Sequence, residues 1–192
     1  MTIGAVMLGL VAAGGCATSE TVATGSTRAA GRPRALVLAQ LANGVGAVLP
    51  GVAAPIWSDP AAVAAVDGSG VFSVRRAAPG RLARLDRRSG AVVSSWPVAK
   101  GLFVTAVAPD GRWVALTDRR PGYDRSAGAF TELVVFDPVA GHESRRLTLS
   151  GNVQPEAFSV DGRLAFALHY LGDHYRVQTI ELSTGRQSDT SD

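Results

Sequence analysis

The side chains of this 192-residue chain that could do covalent, acid–base or metal chemistry are one cysteine, three histidines and sixteen carboxylates. Cys16 directly follows an apolar stretch, residues 3–15, that ends in small residues. Its thiol could accept a lipid once that stretch is cleaved. His169, Asp173 and His174 lie close in sequence but lack helical ligand spacing and a fourth ligand. We therefore expect surface polar residues there, with no metal and no cofactor.

Several of the carboxylates stand at two recurring turns. Asp-Gly pairs begin at Asp67, Asp110 and Asp161, and a second turn spans residues 40–44, 86–90, 137–141 and 181–185. In such turns an Asp oxygen accepts backbone N–H groups and Gly takes a positive φ. We predict turn capping rather than catalysis for these acids. Gly-x-Ser-x-Gly, phosphate-binding and His-Glu-x-x-His motifs are missing from the sequence, so the residues indicate no particular reaction.

These turns divide the chain into repeating units of short strands. The Asp-Gly pairs are 43 and 51 residues apart, a period typical of repeat architectures. The clearest unit has predicted strands at 104–107, 113–116, 132–136 and 146–149. A second unit follows at 156–185, a weaker one lies at 63–96, and two strands of another lie at 35–39 and 45–49. The polar segment 186–192 stops where a last strand is expected, so we count about three and a half four-stranded antiparallel units.

The longer loops of these units are predicted to lie at one end. Alternate connections of an up-and-down sheet share an end, which places the short turns opposite the loops at 118–130 and 170–175. Loops on a rigid scaffold are where binding usually resides. We call the residues predicted to bind a ligand or partner there the loop face: Arg119, Arg120, Tyr123, Asp124, Arg125, Tyr170, Asp173 and His174. A merely solvated end is the alternative.

Three segments resemble known repeats. Ala-Pro-Asp-Gly-Arg-Trp-Val-Ala at 108–115 and Ser-Val-Asp-Gly-Arg-Leu-Ala at 159–165 are similar to the Ser-Pro-Asp-Gly motif of TolB-like and WD40-like β-propellers. Phe-Asp-Pro-Val-Ala-Gly at 136–141 looks like the end of their third strand. The resemblance covers roughly residues 35–186. It implies an all-β fold, a partial β-propeller of four-stranded antiparallel blades over residues 35–192.

The N-terminus resembles that of a bacterial lipoprotein. Gly15 and Cys16 fit the lipobox, and the preceding apolar stretch has the length of a signal-peptide core rather than of a membrane span. The resemblance implies a signal helix over residues 1–15 and a lipid on Cys16. Residues 16–34 are rich in Ala, Ser, Thr and Gly, the composition of a flexible tether. The protein is then expected at the outer side of the cell membrane, in the cell envelope.

The net charge and the distribution of charged residues limit the classes of partner that are expected. The net charge is only +3 and the Arg residues are scattered rather than gathered in a stripe, so no nucleic acid is expected. The first hypothesis is a non-enzymatic binding or scaffold module that meets the membrane through its lipid and binds a protein or envelope ligand. The alternatives are a propeller enzyme of hydrolase or lactonase type, whose site lies partly outside this chain, and a truncated propeller fragment.

Overall fold

The computed structural model describes residues 36–41, 44–50, 52, 54–75, 80–118 and 130–190. They all belong to one compact unit, Arg34–Asp192. Every regular element among them is a β-strand, and the strands form four antiparallel sheets. No helix in these ranges is long and apolar enough to cross a bilayer. The predicted signal helix (1–15), the tether and Cys16 lie outside the described residues and stay predictions.

The strands follow one another along the chain within each sheet. The first sheet contains β1 (Val37–Leu41), β2 (Gly44–Val48) and β3 (Trp57–Asp59). The second contains β4 (Ala62–Ala64), β5 (Val71–Arg75), β6 (Arg81–Leu85) and β7 (Val92–Pro97). The third contains β8 (Phe103–Val107), β9 (Val114–Thr117), β10 (Phe130–Asp137) and β11 (His142–Ser150). The fourth contains β12 (Asn152–Phe158), β13 (Leu164–Tyr170), β14 (Tyr175–Glu181) and β15 (Gln187–Asp189).

The Asp residues of the recurring turns cap their own backbone, as predicted. The carboxylate of Asp67 accepts the N–H of Ser69 at 2.7 Å, and that of Asp110 accepts the N–H of Arg112 at 2.9 Å. In the second kind of turn, Asp137 accepts two successive backbone N–H groups, at 2.8 and 2.9 Å. The glycine after each Asp-Gly aspartate has a φ of 66 to 73°, the left-handed region in which an L side chain is strained. The turn chemistry thus fixes where the hairpins fold.

Successive sheets pack face to face. Val71 and Leu85 of the second sheet join a core with the first sheet, whereas Phe72 and Leu82 join a core with the third. Side chains alternate along a strand, so the second sheet is covered on both faces. The third sheet is also covered on both faces. Val114 and Leu116 pack against the second sheet, and Ala115 packs against the fourth. Among the described residues no apolar cluster joins the first and fourth sheets.

Two strands differ from the sequence expectation. The segment after residue 186, expected to stop short of a last strand, forms β15 and pairs with β14 through Gln187 and Ile180. The first sheet also has three strands instead of two, because Trp57–Asp59 pairs with β2. β15 is an outer strand with exposed or half-buried residues, so it needs no apolar residues and gives no hydrophobic signal. The four sheets therefore hold fifteen strands in the described ranges.

Candidate functional site

The two kinds of short turn lie together at one end of the sheets. The Ser69 hydroxyl lies 3.5 Å from the carbonyl oxygen of Pro109 and donates to it, which links the Asp-Gly turns of the second and third sheets. The next such turn, at Gly162, lies against the indole of Trp113. The connections between β13 and β14 and between β11 and β12 must then lie at the other end. We call these the short-turn end and the long-loop end.

Three of the eight loop-face residues lie within the described part of the chain. Tyr170, Asp173 and His174 belong to the tight hairpin between β13 and β14. Arg119, Arg120, Tyr123, Asp124 and Arg125 lie outside the described residues. Their placement on the loop face therefore stays a prediction.

The β13–β14 hairpin displays a pair of polar side chains. The N–H of Leu171 donates to the carbonyl oxygen of His174 at 2.9 Å, and Gly172 has a φ of 86°. Asp173 is almost fully exposed, and its carboxylate lies 2.8 Å from Nδ1 of His174. That hydrogen bond holds the pKa of Asp173 below its ordinary value. The hairpin thus presents a carboxylate and an imidazole, able to donate and accept hydrogen bonds, to any partner at this end.

Of the two tyrosine rings at this hairpin, one is buried and the other is exposed. Tyr170 and Tyr175 are opposite one another in the β13–β14 register, with ring centroids 6.3 Å apart. Tyr170 is buried, whereas Tyr175 is exposed. Phe130, at the start of β10, is exposed as well. Tyr175 and Phe130 were missed in the sequence because each begins a strand, and the strand pattern does not show whether a ring at a strand end reaches solvent.

His169 contributes to packing. Its imidazole lies directly over Gly151, where an added Cβ would sit 2.2 Å from Nε2. Gly151 is the single residue between β11 and β12, and its carbonyl oxygen accepts the Thr131 hydroxyl at 2.8 Å. His169 therefore covers the passage of the chain from the third sheet to the fourth. In the described part of the chain no three His, Cys, Asp or Glu side chains gather as metal ligands.

A cleft opens at the short-turn end, between the third and fourth sheets. Its volume is about 640 Å³, and its lining residues are Trp113, Val135, Ser144, Arg145, Asp161, Gly162, Arg163, Leu164, Glu181, Leu182 and Ser183. The cleft was not predicted from the sequence, because its walls come largely from turn residues and from the polar outer strand β11. Both the volume and the mixed lining are compatible with a small ligand.

The cleft carboxylates are already engaged by their own turns. The Asp161 carboxylate accepts the Ser159 hydroxyl at 2.6 Å and the N–H of Arg163 at 3.1 Å, and these bonds lower its pKa. The Thr184 hydroxyl donates to Glu181 at 2.8 Å and likewise lowers the pKa of that carboxyl. Across the described ranges no ion pair within 4 Å involves the Arg145 guanidinium. An anionic group could bind beside it.

Antiparallel sheets of four strands that pack face to face in chain order define a β-propeller. The fold is that of TolB-like propellers. Solved structures with a similar fold include TolB from Acinetobacter baumannii, with a TM-score of 0.52 at 16% identity over 77% of this chain. A putative TolB from Agrobacterium tumefaciens gives a TM-score of 0.58 at 14% identity over 82% of this chain.

The chain spans 37% of the length of the first TolB structure and 58% of the second. No protein-family model matches this sequence. No curated protein matches it either. At these identities the comparisons show the fold, and the expected all-β propeller with TolB-like repeats is confirmed.

Proposed function

We propose that this protein is a non-enzymatic binding or scaffold module that presents its long-loop end to a protein or envelope ligand. The observation that carries this proposal is the contrast between the two ends of the propeller. At the short-turn end the Asp side chains bond their own turns. At the long-loop end Asp173, His174 and Tyr175 stand exposed on the hairpin between β13 and β14. Rigid sheets with exposed loops suit recognition.

The proposed contact surface is the whole loop face. Asp173 and His174 supply its exposed described part, beside the buried Tyr170, and the predicted members Arg119, Arg120, Tyr123, Asp124 and Arg125 belong to the segment between β9 and β10. Arginine and tyrosine are the side chains that most often dominate the binding energy of protein interfaces. A partner with acidic groups and an apolar or aromatic centre fits this chemistry.

A comparative pull-down from envelope extracts tests the loop face. Arg119, Arg120 and Arg125 are changed together to Ala, and recovery of crosslinked partners is expected to fall at least severalfold. The matched control changes three arginines at or toward the short-turn end and outside the cleft, Arg84, Arg87 and Arg88, all exposed. The control is expected to recover the same partners as the wild-type protein. Loss of partners in the control but not in the loop-face variant would contradict the proposal.

The anchor forms the second part of the proposal. A lipid on Cys16, followed by the flexible tether 16–34, would hold the propeller at the outer side of the cell membrane. Metabolic labelling with a palmitate analogue tests this: Cys16→Ala is expected to lose the label and leave the membrane fraction, whereas Ser19→Ala keeps both. Label that persists in Cys16→Ala would remove the anchor from the account and would leave the loop-face proposal standing.

A further inference from the structure

On the face of the fourth sheet that points away from the third sheet, the strand β13 is apolar and Val177 of β14 extends this patch, while Gln154 and Thr179 flank it. Ala165, Ala167 and Ile180 pack into the core shared with the third sheet. On the opposite face of β13 and β14 lie Phe166 and Val177, with 37% and 43% of their surface exposed. Sheets with one wet face normally alternate apolar and polar residues.

The strands of this sheet resemble strands that are covered on both sides. β9 has an uninterrupted apolar run, Val114–Leu116, and is buried between two neighbouring sheets. β13 has a similar run over residues 164–168, but in the described chain only the third sheet packs against it. A run of this kind is typical of strands buried on both faces. The outward side of β13 therefore has the chemistry of a strand that another layer covers.

The first sheet has a matching face. Leu38 and Val45 pack toward the second sheet, so the other face of β1 and β2 carries Val37, Ala39 and Leu41, opposite Val48, Gly46 and Gly44 in the register. That face is apolar and built of small or aliphatic residues. The large Phe166 and Tyr175 of the fourth sheet could interdigitate with it, as large and small residues do in packed layers.

Each of the three junctions inside the chain joins one sheet to the face of the sheet that follows it. In the described chain, the outward faces of the fourth and first sheets are the two faces that no neighbouring sheet covers. We propose that the fourth sheet of one copy of this chain docks on the first sheet of a second copy. The contact continues the packing within the chain, and it is head-to-tail, so the assembly either closes into a ring or grows.

The mass of the full chain in solution tests this contact. The protein is purified in a mild detergent, and its mass is measured by sedimentation equilibrium across the micromolar range. The expected mass is that of two or more chains. Val177→Lys and Val37→Lys, on the two docking faces, are each expected to weaken association at least about tenfold, because each places a charge in an apolar contact.

The control is Val93→Lys, an exposed strand valine on β7 of the second sheet, away from both faces; its mass should equal that of the wild-type protein. Circular dichroism confirms that each variant is folded, and Tyr175→Glu replaces Val177→Lys if the latter is not. A monomeric wild-type chain overturns the proposal. So does a Val37→Lys variant that associates as the wild type does while Val177→Lys does not, since the fourth sheets would then meet each other.

Discussion

Strand β10 is buried on both of its faces, and truncating either face should destabilise the protein strongly. Leu133 lies in the core between the third and fourth sheets and is 0% exposed. Phe136 lies in the core between the second and third sheets, is 1% exposed, and its ring centroid is 5.7 Å from that of Trp96. We expect Leu133→Ala to cost about 2–5 kcal/mol and Phe136→Ala about 3–5 kcal/mol of unfolding free energy.

Urea denaturation followed by circular dichroism measures both costs, with the free energy extrapolated linearly to water. Val139→Ala, in the exposed turn after β10, is the control and should stay within about 0.5 kcal/mol of the wild-type protein. Domains of this size have an unfolding free energy of about 5–15 kcal/mol. The expected losses are therefore large enough to lower the urea concentration at the midpoint of unfolding clearly. A cost below about 1 kcal/mol for either core variant would refute the packing of a sheet on each side of β10.

Three further substitutions test local features. Gly162→Ala should lower the unfolding free energy by about 1–2 kcal/mol because of its positive φ, and by more because the added Cβ would lie 2.7 Å from the Trp113 indole. Gly101→Ala is the control, since Gly101 has a positive φ but open space around it. Thermal melts of both variants then separate the backbone cost from the cost of the contact. Asp86→Asn should lower the melting temperature at neutral pH, because the hydrogen bonds within its turn lower the pKa of this carboxyl. That contribution is complete above the ordinary value of 3.8 and is lost as the pH falls through the lower native pKa, so the two proteins should converge in acid; a difference unchanged at low pH would contradict the reasoning. Arg146→Ala removes an exposed bridge to two glutamates and should cost less than about 1 kcal/mol, with any cost shrinking further in high salt; a larger loss in chemical denaturation would contradict this.

The repeating turns made most of the fold predictable. The Asp-Gly turns and the second turn series fixed the hairpin positions, and strands predicted at 104–107, 113–116 and 132–136 appear at Phe103–Val107, Val114–Thr117 and Phe130–Asp137. The outer strands were harder to find. β11 runs over His142–Ser150 rather than 146–149, because Glu143, Ser144 and Arg145 face solvent on an outer strand and give no apolar signal.

The candidate site was less predictable than the fold. Sequence spacing located the β13–β14 hairpin with Asp173 and His174, since the turn residues mark its ends. It could not show that Tyr170 is buried and Tyr175 exposed, because the two rings lie side by side on one face and their burial depends on what packs around each of them. The cleft beside Arg145 could not be predicted from the sequence either, because it forms only where the turns of two separate sheets come together.

The most direct test of binding at the long-loop end is photo-crosslinking in living cells. A photoreactive amino acid replaces His174 on the β13–β14 hairpin, or Arg88 on an exposed turn at the short-turn end. We expect a covalent adduct of defined mass from position 174 and none from position 88. An adduct from position 88 without one from position 174 would contradict this expectation.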